Sequence, residues 1–141
     1  MKHIYNPLET ANKIKNLWSK KVVYWEKNNG RDFSWRENRS PYKVLISELL
    51  LKRTTSTAAA RAYQKFLSKY PDIISLARAP IKDLESLLLD LGLYKQRSLL
   101  ISKMSKYLIE EFNGDIPREY NALVSIPSIG DYTASAIIVF G

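Results

Sequence analysis

Apolar residues recur at steps of three and four along most of the chain, and no segment alternates apolar with polar residues over a strand's length. The pattern predicts a run of helices. Asn6-Pro7-Leu8-Glu9 reads as a helix start, with Asn6 as N-cap, Pro7 in the first turn and Glu9 closing a capping box. Ala11, Ile14, Trp18, Val22 and Trp25 then form one face, ended by Asn28-Asn29-Gly30. Ser40-Pro41 opens a second helix whose Val44-Leu45-Ile46 and Leu49-Leu50-Leu51 make it apolar nearly all round, which places it at the centre of a fold. A third is expected from about Thr57 to Tyr70, stopped by Pro71, and a short one around Asp72 to Arg78. Pro80 opens a fifth with Leu84, Leu87, Leu88 and Leu91 inward and Gly92 as its C-terminal cap. Leu99, Met104, Tyr107 and Leu108 mark a sixth, closed by Asn113-Gly114, and a seventh sits near Arg118 to Val124. Ile126 to Gly130 is a tight turn, and Tyr132 to Phe140 resumes an apolar helix. Short loops favour a compact bundle.

At 141 residues the chain has one domain's worth of core, and 45% hydrophobic content excludes a disordered reading. No apolar run approaches the roughly 18 residues a membrane span needs, and no apolar signal region follows Met1-Lys2-His3. A cytoplasmic, nucleoid-associated location is the expectation. Cysteine is absent, which excludes a disulfide framework and cysteine-ligated metal within these residues. The net charge of +8 is unevenly spread: residues 1–70 carry +10 and residues 71–141 carry −2. A polyanionic partner follows, nucleic acid ahead of a membrane surface.

Two segments carry candidate chemistry. Ser47 and Glu48 are the polar residues among the eight from Val44 to Leu51, and Glu48 stands three positions from both Leu45 and Leu51. Desolvation there raises a carboxyl pKa, as suits a general acid at neutral pH. Ile126-Pro127-Ser128-Ile129-Gly130-Asp131-Tyr132-Thr133-Ala134 resembles the hairpin of the helix–hairpin–helix DNA-binding motif. A glycine turn lets backbone approach a phosphate, and the following helix presents its N-terminal N–H groups and positive dipole end. Ile129, Gly130 and Thr133 are its candidate DNA contacts. The motif usually has glycine where this chain has Ser128, and a β-carbon resists positive φ. Asp131 puts a negative charge beside the phosphate position or stabilises the first turn of the helix.

Further segments join this one: Gly30-Arg31-Asp32-Phe33-Ser34-Trp35-Arg36; Pro41 through Thr55; Leu91-Gly92-Leu93-Tyr94-Lys95-Gln96-Arg97; and Phe112-Asn113-Gly114-Asp115-Ile116-Pro117-Arg118. In this order and spacing, from about Leu17 to Gly141, they resemble the helix–hairpin–helix DNA glycosylase superfamily, with adenine DNA glycosylases and archaeal thymine/uracil mismatch glycosylases as the nearest branches.

The resemblance implies an all-α fold. Residues 1–30 would form a helix of a neighbouring helical domain, and 31–141 a six-helix barrel with the helix–hairpin–helix motif at about 120–141. It implies double-stranded DNA with a mispaired or damaged base as partner, with flipping of that base and hydrolysis of its N-glycosidic bond. Glu48 matches the acid that activates the base. Tyr132 stands where bifunctional members carry a nucleophilic lysine, which implies base release alone. Lys52 and Arg53 match the segment that fills the gap left by the flipped base, and Leu93 matches a wedge inserted from the facing loop; Arg31, Arg36 and Gln96 are further expected DNA contacts. Lys52-Arg53-Thr54-Thr55 favours thymine or uracil opposite guanine. Glu48 with the Arg31–Arg36 segment favours adenine opposite guanine or oxidised guanine. A non-catalytic DNA-binding module is the third reading. The superfamily's central aspartate lies past the position of Gly141, and the cysteines of an iron–sulfur cluster lie further on. The chain is therefore expected to be an N-terminal fragment, without cofactor of its own and weak or inactive alone. Marginal stability, or self-association through an exposed Ile137, Ile138 and Phe140, is expected with it.

Overall fold

A computed structural model describes residues 12–17, 19–21, 23–24 and 33–141. It divides into two units, Met1–Asp32 and Phe33–Gly141. In the first, the described residues are helical and exposed; Asn6, Ala11, Trp18, Val22, Trp25 and the Asn28–Gly30 stop lie outside the described residues.

The second unit holds helices α1 (Pro41–Leu51), α2 (Ser56–Lys69), α3 (Ile73–Ala77), α4 (Ile81–Leu88), α5 (Tyr94–Phe112), α6 (Tyr120–Ser125) and α7 (Asp131–Phe140), preceded by a 3-10 turn at Ser34–Arg36. No strand occurs among the described residues. The starts follow local chemistry. Ser40 caps α1 by accepting from the Lys43 amide, with Pro41 in the first turn. Thr55 caps α2 one residue earlier than the expected start, and Asp72 and Ser75 form a capping box at α3. The helix opened by Pro80 ends at Leu88, tightens into a 3-10 turn at Leu89–Leu91 and stops at Gly92.

α1 is the central element. Val44, Leu45, Ile46, Leu49 and Leu50 are buried, and the helix packs against α2 on one side and α7 on the other. α5 lies along α3 and α4. Tyr42 Oη donates to the Tyr70 carbonyl at 2.6 Å, tying the end of α2 to α1; burial pushes this phenol's pKa far up. Phe66, Leu76, Leu84, Leu88, Met104, Leu108 and Leu123 complete the core.

Of the residues expected to mark α5, Met104 and Leu108 are buried and Tyr107 packs against the core. Leu99 is exposed, and the inward positions are Ser98, Ile101, Ser102, Met104, Ser105 and Leu108. Ser98 Oγ donates to the Lys95 carbonyl and Ser105 Oγ to the Ser102 carbonyl, so two of these serines satisfy themselves within their own helix and act as small packing residues. In α7, Ile137 is buried rather than exposed, because it packs into the core shared with α1; Ile138, Val139 and Phe140 are exposed. Arg39 covers part of Phe140, its guanidinium 4.9 Å from the ring centre. No helix among the described residues is long and apolar enough to cross a membrane.

Candidate nucleic-acid interface

The site grows from the C-terminal end of α1. Its last carbonyls have no partner within the helix, and Arg97, reaching from the first turn of α5, supplies one. Arg97 Nη1 donates to the Leu49 carbonyl at 3.0 Å, Nη2 to the Lys52 carbonyl, and Nε to the Gly92 carbonyl at 3.0 Å. Two chain turns thereby meet. In one, Arg53 adopts left-handed backbone at φ 53°; in the other, Gly92 (φ 71°) is followed by Leu93 at φ 49°. Between them lies a cleft of roughly 290 Å³. Its lining combines buried Leu49, Leu50, Leu88 and Ile101 with the more exposed Lys52, Arg53, Leu93, Gln96, Arg97, Leu100 and Ser128 at its mouth. Four expected DNA contacts, Lys52, Arg53, Leu93 and Gln96, are thus gathered at one opening. Leu93 is 57% exposed, so it is no core residue.

The hairpin joins the same opening through Lys52, whose Nζ donates to the Ser128 carbonyl at 2.9 Å. Ser128 holds φ 72°, so the strained position of the turn is the serine. Its Oγ is buried and has no hydrogen-bond partner. Gly130 has extended backbone (φ −96°, ψ −178°), and a β-carbon there would meet nothing. What Gly130 provides is open space over the turn, not conformational freedom. No side chain caps α7, so its first-turn amides receive no bond from a capping side chain. Asp131, its sole acidic residue, accepts from Tyr120 Oη at 2.6 Å.

The hairpin residues divide sharply. Ile129 is buried and its N–H donates to the Ile126 carbonyl at 3.1 Å, so neither its side chain nor its amide is available to a phosphate. Thr133's side chain is also buried, which leaves its amide as the group it can offer. Tyr132, by contrast, is 77% exposed on the first turn of α7 and does not pack on the hairpin.

Glu48 stands on α1 one turn before Lys52 and is half-buried. Burial raises its carboxyl pKa above the ordinary carboxylate range, and the Lys52 cation pulls it part of the way back. It is not among the residues lining the cleft. Arg36 is not gathered here either. It lies before α1, whose 11 residues separate it from Lys52 by about 16 Å of helix, and its guanidinium sits 5.7 Å from the Phe33 ring centre, with Phe33 stacked on Trp35. Arg31 lies outside the described residues. Arg97 and Ser128 had no role assigned from sequence. Two of Arg97's three partners lie 45 and 48 residues away, beyond any local signal.

Residues 46–139 match the family model described as HhH-GPD superfamily base excision DNA repair protein. The chain is 35% identical over 119 residues to a thymine/uracil-DNA glycosylase of Pyrobaculum aerophilum, covering 84% of this chain and 52% of that protein. It is 36% identical over 123 residues to an adenine DNA glycosylase of Buchnera aphidicola subsp. Schizaphis graminum, covering 86% of this chain and 35% of the relative. Its structure superposes on that of a thermostable thymine-DNA glycosylase with a TM-score of 0.81 at 29% identity, over 92% of this chain and 60% of the other. The chain thus spans about half the length of the archaeal relative.

Proposed function

The chain belongs to the HhH-GPD superfamily of base excision DNA repair proteins, and on that premise we propose that it is the DNA-engaging part of a monofunctional DNA glycosylase acting on thymine or uracil opposite guanine. The observation that carries the reading is the cleft mouth. Arg53 and Leu93, both exposed and both in left-handed backbone, flank one opening beside the hairpin. A cation and an apolar wedge so placed suit a duplex from which one base has been turned out. The uncapped N-terminus of α7 and the Gly130 backbone suit a phosphate. Glu48, with its raised pKa, suits protonation of the leaving base. Tyr132, in place of a lysine, suits hydrolysis without a covalent enzyme–sugar intermediate.

The T/U preference is supported by Lys52-Arg53-Thr54-Thr55 and by the names of the archaeal relatives. Adenine is the second reading, favoured by Glu48 and by the relative from Buchnera. Phe33–Gly141 would be the barrel that holds the DNA, with the N-terminal helix part of an adjoining helical domain, working on the nucleoid in the cytoplasm. The 141 residues place no free carboxylate on α7, where Asp131 is engaged by Tyr120. Excision by them alone is expected to be weak, because a carboxylate near the sugar cation is one of the larger electrostatic contributions, about 3 kcal/mol or more. Exposed Ile138, Val139 and Phe140 give a route to pairing of two copies.

Binding and single-turnover excision on duplexes carrying T:G, U:G, A:G or only matched pairs test the reading. Tighter binding and faster base loss on T:G and U:G, with no borohydride-trapped adduct, are expected. A preference for A:G would move the assignment to the adenine branch. Equal binding of all four duplexes without base loss would leave a DNA-binding module.

A further inference from the structure

We propose that Arg97 is a positioning residue that locks the Lys52–Arg53 turn to the Gly92–Leu93 turn, so that both meet the duplex as one preset pair. The inference deepens the glycosylase reading and rests on it for the base-opening step. Arg97 is half-buried, and its planar head spends three donors on backbone carbonyls: Leu49 and Lys52 at the end of α1, and Gly92. The first two are carbonyls that a helix leaves unpaired at its C-terminus; the third immediately precedes the exposed Leu93. One guanidinium therefore caps α1 and fastens the facing turn to it.

The fork matters as much as the charge. A guanidinium presents five N–H donors in a fixed plane, whereas a lysine ammonium is a compact point charge that cannot span three separated carbonyls in that plane. Charge also orders the pair. Arg53 lies close enough to depress the Arg97 pKa, along with burial, which is the larger cause. Two like charges side by side favour the arrangement in which the unfastened one, Arg53, points to solvent, where a DNA phosphate or an emptied base stack would meet it. Lys52 extends the assembly to the hairpin through the Ser128 carbonyl, so two side chains, Arg97 and Lys52, set the register of three DNA-facing segments. Left-handed backbone at Arg53 and Leu93 is held against its intrinsic cost by this fastening.

The test compares the wild-type chain with Arg97→Lys, and with Arg97→Gln should the lysine variant not fold; Arg53→Ala is the control that removes a cleft charge without touching a carbonyl. Hydrogen exchange by mass spectrometry reads the turns, and affinity for T:G against matched duplex reads the outcome, with 2-aminopurine beside the mispair reporting unstacking. In Arg97→Lys, exchange should rise at least tenfold in both turns while α2 to α4 stay protected. Preference for T:G over matched DNA, and the 2-aminopurine signal, should fall about tenfold, with matched-duplex affinity changing less than threefold. Arg53→Ala should weaken binding, most of all to T:G, and leave exchange unchanged, so that loss of a cleft contact and loss of the latch are told apart by exchange. Unchanged exchange, or a rise in one turn only, overturns the latch. Raised exchange in both turns with intact T:G preference overturns its positioning role. If the wild-type chain prefers no mispair, the glycosylase reading fails, and the exchange comparison still upholds or overturns the latch.

Discussion

Replacing Ser128 with glycine should stabilise the protein, and the size of the gain follows from two features of one residue. Ser128 sits at φ 72°, where the β-carbon crowds the neighbouring carbonyl oxygen at a cost of about 1–2 kcal/mol. Its hydroxyl is buried without a partner, and an unpaired buried polar group costs about 1–3 kcal/mol. Glycine removes both penalties. Against them stands the larger entropy of the unfolded chain, roughly 0.4–1 kcal/mol. Even the low ends leave a net gain of about 1 kcal/mol, and 1–2 kcal/mol is the working expectation. In a domain of this size 1 kcal/mol moves Tm by about 3–5 °C, so thermal unfolding followed by far-UV circular dichroism should show Ser128→Gly melting about 3–10 °C higher. The bond from Lys52 ends on the backbone carbonyl of residue 128 and survives the change. Ser128→Ala separates the two contributions, since it removes the hydroxyl and keeps the β-carbon; its gain should be the smaller. A Tm that is unchanged or lower in Ser128→Gly would refute the reasoning, and would mean that the serine hydroxyl is hydrogen-bonded in solution.

The burial that raises the Glu48 pKa makes its ionised form a liability to folding. The cost is absent below the unfolded carboxyl pKa, about 4.3, and appears as pH rises through the folded value. Glu48→Gln should therefore melt with wild type at pH near 3.5 and above it at pH 7, in paired melts across that range; a Tm gap that widens on acidification would be the wrong sign. Tyr63 Oη is buried with no partner, and its ring meets Trp35 edge-on at 5.8 Å. Tyr63→Phe should keep or raise stability by up to about 1 kcal/mol, whereas a loss beyond that in chemical denaturation would mean the hydroxyl is paired. Duplex affinity should fall linearly in log–log plots against salt, and Arg53→Ala should flatten that slope by about one; a slope untouched by the substitution would remove Arg53 from the phosphate contacts.

What could be read from sequence separates by distance along the chain. The starts of α1 and α3, and the closing of α5 at Asn113-Gly114, depend on residues within six positions of each other, and Ser40, Asp72 and Gly114 act as their types suggest. Glu48's raised pKa follows from the same kind of neighbour count on one helix. On α5, Met104 and Leu108 are legible as core, whereas the serines beside them are not, because serine counts as polar in any periodicity; Ser98 and Ser105 spend their hydroxyls on their own helix and leave only small volume to the core. Ile129 and Thr133 read as DNA contacts because the hairpin backbone approaches a phosphate; their side chains turn out to anchor that backbone from below. The mouth of the cleft was legible as residue types and illegible as an arrangement. Lys52, Arg53, Leu93 and Gln96 could each be picked out, but Arg97, the residue that makes them neighbours, bonds to carbonyls of whatever side chains happen to stand there. A backbone acceptor has no identity in a sequence. The same holds for left-handed backbone at Arg53, Leu93 and Ser128, none of them glycine: such conformations are imposed by long-range fastening rather than chosen by the residue. Strain and fastening therefore occur together around this opening: Arg53, Leu93 and Ser128 carry the left-handed backbone, and Arg97 and Lys52 carry the bonds that join those segments.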